Sequence, residues 1–175
     1  VFKEKYKDAS STDSNIAIIK EVYKQLKNAI SKGNEIILID RSLNDRQIWN
    51  YRRFIRKDMP EDKYLIIKDK YSTISKDLID FLVITYAEPL ISLKRDYISS
   101  LALEQRSFLN IDNIEEYNNS LKALKSLFSK SVDSMILLDT SNIDINDVSI
   151  EVTSQILPVM RKKYIKSFKQ KYNLK

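Results

Sequence analysis

An acid, a base and a hydroxyl follow one another directly after a short apolar run early in the chain. The run is residues 36–39, three isoleucines and one leucine, and the polar residues are Asp40, Arg41 and Ser42. Such a run is typical of a strand buried in a parallel sheet, and these sheets bind ligands beyond the carboxyl ends of their strands. A carboxylate that can hold Mg²⁺ beside a guanidinium that can bind phosphate indicates phosphoryl transfer. The alternative is a helix N-cap with a surface ion pair.

The residue types that are absent exclude several other chemistries. The 175 residues include no Cys and no His, which removes disulfides, most zinc sites, Cys nucleophiles and any Ser-His-Asp triad. Catalysis must therefore rest on carboxylates, Lys, Arg, Tyr, hydroxyls or a hard metal ion. No apolar run approaches the roughly 20 residues that span a bilayer. We therefore expect a cytoplasmic protein with no membrane partner.

The positive charge is concentrated at the end of the chain. The net charge is +6, and residues 161–175 hold seven basic residues and no acid. The rest of the chain carries a net charge of about −1, which is not the uniform excess of a nucleic-acid-binding protein. We expect the basic segment to be a solvated helix end, because cations suit a helix C-terminus. Contact with RNA or another anionic surface is the alternative.

The elements that must position these residues alternate between apolar segments and amphipathic helices. Three apolar segments are predicted strands, at 35–39, 81–86 and 134–139. Helices are predicted between and around them, and the first is predicted to stop at Gly33. Such alternation is typical of right-handed βαβ units. The sequence therefore predicts a single α/β domain over 1–175, a three-layer parallel sheet flanked by helices. Because three strands make a thin sheet and the chain starts with Val1, we expect further N-terminal strands upstream.

Residues 18–50 resemble a known family. They contain an amphipathic helix, Gly33, an apolar strand, the triplet Asp40-Arg41-Ser42 and a short polar turn that ends at Arg46. In this order they resemble the thymidylate kinases and deoxynucleoside kinases of the P-loop superfamily. Later segments keep the order of such kinases, and the resemblance covers nearly the whole chain. It implies a kinase-like fold and an enzyme that uses ATP and Mg²⁺ to phosphorylate a nucleoside or a nucleoside monophosphate.

The resemblance also implies roles for individual residues. Asp40 would hold Mg²⁺ through water, and the acceptor would be bound by Arg41, Ser42 and Arg46. Arg95 and Arg106, in a segment similar to the lid, would close over the transferred phosphoryl group. The loop after the last strand would frame the adenine base through Thr140, Ser141 and Asn142.

Simpler roles stay open for most of these residues. Each arginine also suits a solvated helix face, and an ion pair is a further alternative for Arg41. Residues 140–142 also suit an ordinary strand-to-helix turn. The expected partners are a nucleotide and a small-molecule acceptor, with a homodimer left open.

The phosphate cradle of the superfamily is missing from this sequence. Its motif is Gly-x-x-x-x-Gly-Lys-Ser/Thr, whereas Gly33 is the only glycine in the chain. We expect that loop on residues upstream of Val1. The alternative is a non-catalytic kinase-like module that lacks the loop and serves as a binding or scaffold protein.

Overall fold

Helices make up most of the computed structural model, which describes residues 12–34, 36–40, 43–100 and 110–172. The helices of these residues are α1 Thr12–Ser31, α2 Leu43–Ile55, α3 Glu61–Leu78, α4 Pro89–Ser100, α5 Ile111–Ser131 and α6 Ile145–Lys171. The strands of the same residues are β1 Phe81–Tyr86 and β2 Ser134–Asp139. The helices lie where the apolar spacing predicts them, and α6 continues through Pro158 to the basic segment.

The turn after α1 shows how the sequence ends a helix. Gly33 has a φ of 79°, in the left-handed region that glycine adopts at the least cost. Its N–H donates to the carbonyl oxygen of Ile30 at 2.9 Å, and the N–H of Asn34 donates to the carbonyl oxygen of Ala29 at 3.4 Å. The predicted stop at Gly33 is confirmed.

Contacts divide the chain into two compact units. The first unit comprises Val1–Asp80 and Asp112–Asp133, and its described residues include α1, α2, α3 and most of α5. The second unit comprises Phe81–Ile111 and Ser134–Lys175, with β1, α4, β2 and α6.

The core of the first unit forms where α3 packs against α1 and α2. Buried apolar side chains gather there, and each contributes about 1.5–3 kcal/mol relative to exposure. The cluster consists of Ile19, Leu43, Met59, Tyr64, Ile67 and Tyr71. Because Leu43 is the first residue of α2, its burial fixes the point at which the chain enters that helix.

The two strands form the sheet of the second unit. They pair in parallel, with Phe81 opposite Ser134 at one end and Tyr86 opposite Asp139 at the other. Both strands lie where the apolar runs predict them. Because the strands are parallel and in register, their carboxyl ends bring residues 86–89 close to residues 139–142.

The predicted three-layer α/β fold is wrong. The described residues contain six helices and a sheet of only two parallel strands. Residues 36–39 belong to no strand, and Ile36 and Leu38 are 63% and 92% exposed. A strand exists only where a neighbouring backbone completes its ladder of hydrogen bonds. The composition of an apolar run indicates a tendency to form a strand, but it does not supply that neighbour.

Candidate functional site

A groove in the first unit is lined by two of the residues that the sequence singled out, Asp40 and Arg46. Its volume is about 380 Å³, which is within the range of small-molecule sites. Most of its wall is apolar and comes from α1, from residues 37–39 and from Leu43. Gln25 of α1 adds a polar group. An apolar wall with a few polar groups is the usual composition of a ligand site, in which the polar groups orient the ligand.

The start of α2 places the two charged residues on this groove. Asp40 lies three residues before the helix and is exposed, whereas Arg46 lies in its first turn and is half-buried. Leu43, between them, is buried in the core and holds the segment against α1 and α3. A carboxylate and a guanidinium therefore line one groove, a combination that suits a phosphate group and its metal ion.

The charge of Arg46 also acts on the core of the first unit. Burial raises the pKa of the Tyr71 phenol well above its usual range, and the positive charge of Arg46 opposes that rise. Asp45 adds to the rise, and its carboxylate accepts a hydrogen bond from the Tyr117 hydroxyl at 2.9 Å. Tyr71 is therefore a neutral phenol at physiological pH, beside the helix turn that carries Arg46.

The residues around Asp40 do not form a metal cage made of protein alone. Among the described residues, no group of three or more Cys, His, Asp or Glu side chains could hold a metal ion. Mg²⁺ commonly uses one or two carboxylates and takes its other ligands from water and substrate phosphates. Asp40 fits that arrangement as a single carboxylate on a groove.

A second group of predicted residues lies at the carboxyl ends of β1 and β2. The Ser141 hydroxyl donates to Asp139 Oδ1 at 2.6 Å and accepts a hydrogen bond from the backbone N–H of Glu88 at 2.8 Å. The backbone N–H of Ser141 also donates to Asp139 Oδ1, at 2.9 Å. Ser141 is buried. Its side chain therefore ties the loop after β2 to the turn after β1.

Arg95 of α4 binds the same loop. Its guanidinium donates to Thr140 Oγ1 at 3.2 Å and to the carbonyl oxygens of Thr140 and Ile143 at 2.6 and 3.4 Å. The Thr140 hydroxyl itself donates to the carbonyl oxygen of Tyr86 at 3.0 Å. In this structure Arg95 shapes loop 139–143, which is a positioning role that the resemblance did not imply.

The structure thus gathers the described site residues into two groups, one in each unit. Asp40 and Arg46 line the groove of the first unit. Arg95, Thr140 and Ser141 share the hydrogen-bond network of the second unit, and Asn142 is exposed in the adjoining turn. Three residues with predicted roles lie outside the described residues: Arg41, Ser42 and Arg106.

An ion cluster between α2 and α5, centred on the buried Arg52, was not among the predicted site residues. Arg52 is 3% exposed and donates to Glu116 Oε2 at 3.0 Å and to Asn113 Oδ1 at 3.2 Å. Arg56 forms an ion pair with the same Glu116 carboxylate. The hydrogen bond from Arg52, reinforced by Arg56, holds the pKa of Glu116 below its usual range. The guanidinium of Arg52 also lies over the Trp49 ring, 4.7 Å from its centroid.

Helical spacing carried a signal for this cluster. Arg52 follows Ile48 by four positions, and Ile48 is buried, so both belong to the inward face of α2. A charged residue on that face requires a partner. The partner could not be identified from sequence, because Glu116 is 64 residues away.

Comparison with known proteins adds no family: no family model, no curated protein and no solved structure matches this chain. Across the residues that the structure describes, no helix is both long and apolar enough to cross a membrane.

Proposed function

We propose that this chain takes part in ATP-dependent phosphoryl transfer to a nucleoside or a nucleoside monophosphate. The main support is the groove that Asp40 and Arg46 line together. Both residues were predicted from the sequence to have roles in phosphoryl transfer, and both line a groove of suitable size. The class of acceptor comes only from the order of residue types in residues 18–50, because the strand that the resemblance included is not formed.

Each described residue on the groove has a defined part in this proposal. Arg46 binds an anionic or oxygen-rich part of the acceptor, because its planar guanidinium can donate two parallel hydrogen bonds. Asp40 supports Mg²⁺ through water, and the metal ion neutralises charge on the transferred phosphate. The apolar wall from α1 packs against the body of the acceptor.

The resemblance implies a purine-contacting role for loop 139–143, and we propose that role for the loop within the second unit taken by itself. Its hydrogen bonds to the Glu88 N–H and to Arg95 support this assignment, because they give the loop a defined shape. A preformed loop loses little entropy when a ligand binds. With the Thr140 and Ser141 hydroxyls engaged inside the loop, backbone groups and Asn142 are the assigned contacts to the base.

The ATP phosphates require a binding loop that these 175 residues do not contain, because Gly33 is their only glycine. We therefore assign that loop to residues outside this sequence. A cytoplasmic location and a small-molecule acceptor belong to the same proposal. The lack of such a loop is also what favours the second candidate, a non-catalytic module that binds partners through its helices.

The test measures ADP release by the full product of the coding sequence, with ATP, Mg²⁺ and a panel of nucleosides and nucleoside monophosphates. Asp40→Ala should lower kcat about 100-fold, which corresponds to ~2.7 kcal/mol of transition-state stabilisation. The matched control is Asp69→Ala, which removes an exposed carboxylate from α3 and should leave kcat within about twofold.

The two candidates differ in every readout of this test. Under the kinase proposal, Arg46→Gln should raise KM for the preferred acceptor more than it lowers kcat. Under the binding-module candidate no acceptor gives ADP, and Asp40→Ala, at an exposed site three residues before α2, changes stability by less than about 0.5 kcal/mol. Failure of every acceptor to release ADP would therefore refute the kinase proposal.

A further inference from the structure

The end of α6 presents an apolar stripe to solvent. Leu157, Tyr164, Ile165 and Tyr172 are between 45% and 69% exposed. Tyr164 and Ile165 lie seven and eight positions after Leu157, so helical periodicity puts these three on one face. Tyr172 directly follows the last residue of α6. Scattered exposed apolar residues are ordinary, but apolar residues that share one helix face indicate an interaction surface.

Lys162 and Lys166 lie beside that stripe, Arg161 lies within it, and acids are absent from this part of the helix. Arg161, Lys162 and Lys166 are exposed, and Lys162 and Lys166 are one helical turn apart. The last acid of α6 is Glu151, and no Asp or Glu follows it in the sequence. The helix is therefore acidic in its first two turns and strongly basic after Leu157. Its exposed apolar face also includes Ile150, seven positions before Leu157, so that face begins in the acidic part and continues through the basic part.

We propose that the basic half of α6 binds the surface of an anionic lipid bilayer. In this arrangement the apolar stripe enters the boundary between headgroups and acyl chains, and the lysines contact lipid phosphates and carboxylates. Amphipathic helices with Lys and Arg beside an apolar face bind membranes in this way. Long lysine side chains can extend along the helix to keep their charge in water. The helix lies on the bilayer and does not cross it.

The same observations disfavour two other occupants. A second copy of this helix would bring two cationic surfaces together, and like charges at close range repel. A nucleic acid would use the cations and could stack bases on tyrosines, but it gives Leu157 and Ile165 no role. An anionic bilayer is the surface that satisfies both the cations and the aliphatic side chains. Binding at the bilayer surface needs no helix that crosses the membrane, and among the described residues none could. The proposal is independent of the proposed kinase activity.

The test is co-sedimentation of the chain with lipid vesicles of two compositions. One set is pure phosphatidylcholine, and the other contains about 30% phosphatidylserine. Binding should require the anionic lipid and should weaken as salt rises above about 0.1 M. The double variant Lys162→Gln/Lys166→Gln should bind about 25-fold more weakly, since each cation near the surface contributes about fivefold. Leu157→Gln/Ile165→Gln should weaken binding about tenfold.

The control is Lys122→Gln/Lys125→Gln, which removes two exposed lysines from α5. It changes the net charge by the same amount and should leave vesicle binding within about twofold of the parent. Equal loss in this control would overturn the proposal, because the attraction would then depend on total charge. Equal binding to neutral vesicles would also overturn it.

A parallel titration with a single-stranded oligonucleotide separates the lipid surface from nucleic acid. The chain should bind anionic vesicles in preference to the oligonucleotide. If it prefers the oligonucleotide, and Leu157→Gln/Ile165→Gln binds that oligonucleotide like the parent, then the surface serves nucleic acid and the lipid proposal is wrong. Far-ultraviolet circular dichroism should show the same helix content in every variant, since all the substituted side chains are exposed.

Discussion

The guanidinium of Arg95 donates hydrogen bonds to both the hydroxyl and the carbonyl oxygen of Thr140, at 3.2 and 2.6 Å. Two donors of one planar group therefore bind two acceptors of one residue. Arginine is suited to such contacts because its donors are fixed in a fork, whereas the lysine ammonium is a point charge on a flexible stem. This relationship fixes the shape of loop 139–143 relative to α4.

Replacing Arg95 should loosen loop 139–143. Arg95→Lys keeps the charge but loses the fork, so we expect a loss of about 1 kcal/mol in the free energy of unfolding. Amide hydrogen exchange at residues 141–143 should become faster at the same time. The neighbouring control Lys94→Gln should change stability by less than about 0.5 kcal/mol. Unchanged exchange in Arg95→Lys would contradict the positioning role of Arg95.

Ser141→Ala should destabilise the second unit more than an ordinary serine substitution. The change removes the acceptor of the Glu88 N–H and one donor to Asp139, at a buried position. A polar group left unsatisfied by such a change costs about 1–3 kcal/mol. Urea unfolding measures the effect. The control is Ser154→Ala on the exposed face of α6, and a loss there as large as that of Ser141→Ala would contradict the interpretation.

Glu116→Gln should lower stability at neutral pH and remove part of its pH dependence. Arg52 is buried, and its ion pair with Glu116 would lose its charge, so we expect a loss of about 1–3 kcal/mol at pH 7. Because the folded pKa of Glu116 lies below its usual value of 4.5, the unfolded state binds the proton more readily. The contribution is complete above pH 4.5 and is lost as pH falls through the folded pKa.

The difference in unfolding free energy between the parent and Glu116→Gln should therefore shrink on acidification below pH 4.5. Glu115→Gln, at the exposed neighbouring position, is the matched control and should show a smaller change at pH 7. A difference that stays constant from neutral pH to strong acid would show that the ion pair does not act through its charge.

Tyr64→Phe should protect the protein at alkaline pH. Burial in the core raises the pKa of Tyr64 to about 12, so the folded state retains the phenolic proton between the unfolded pKa of 10 and that value. Stability from Tyr64 is complete below pH 10 and is lost as pH rises through 12, by about 2.7 kcal/mol. Unfolding measured across this range should fall less steeply in Tyr64→Phe. Tyr164→Phe, at a 69% exposed site, is the control.

Local sequence was sufficient to locate the helices and the strands β1 and β2. The helix α5 could be predicted because Leu121, Leu124 and Phe128 recur at helical spacing. The structure buries all three. Residues 36–39 have the same composition as a buried strand but form none. Forming a strand requires apolar residues and a neighbouring segment of the chain to pair with. The run itself shows only the apolar residues.

The sequence predicted which residues belong to the candidate sites, but not which residues they contact. The sequence indicated Asp40 and Arg46 as ligand-binding side chains, and the structure puts both on one groove. It also indicated Ser141, but not the Glu88 N–H that Ser141 binds, because that pair is 53 residues apart. Contacts between residues that are far apart in the chain depend on how the elements pack. They produce no periodic pattern in a single sequence.

Residues 36–39 determine how the protein should behave when it is concentrated. Hydrophobic side chains that face water outside a paired sheet promote self-association and are typical sites of chaperone binding. Turbidity on concentration or mild heating should therefore begin with this segment. Leu38→Lys, at a position 92% exposed, should raise the protein concentration at which light scattering starts. Leu90→Lys, at a 68% exposed site on α4, adds the same charge elsewhere and should raise it less.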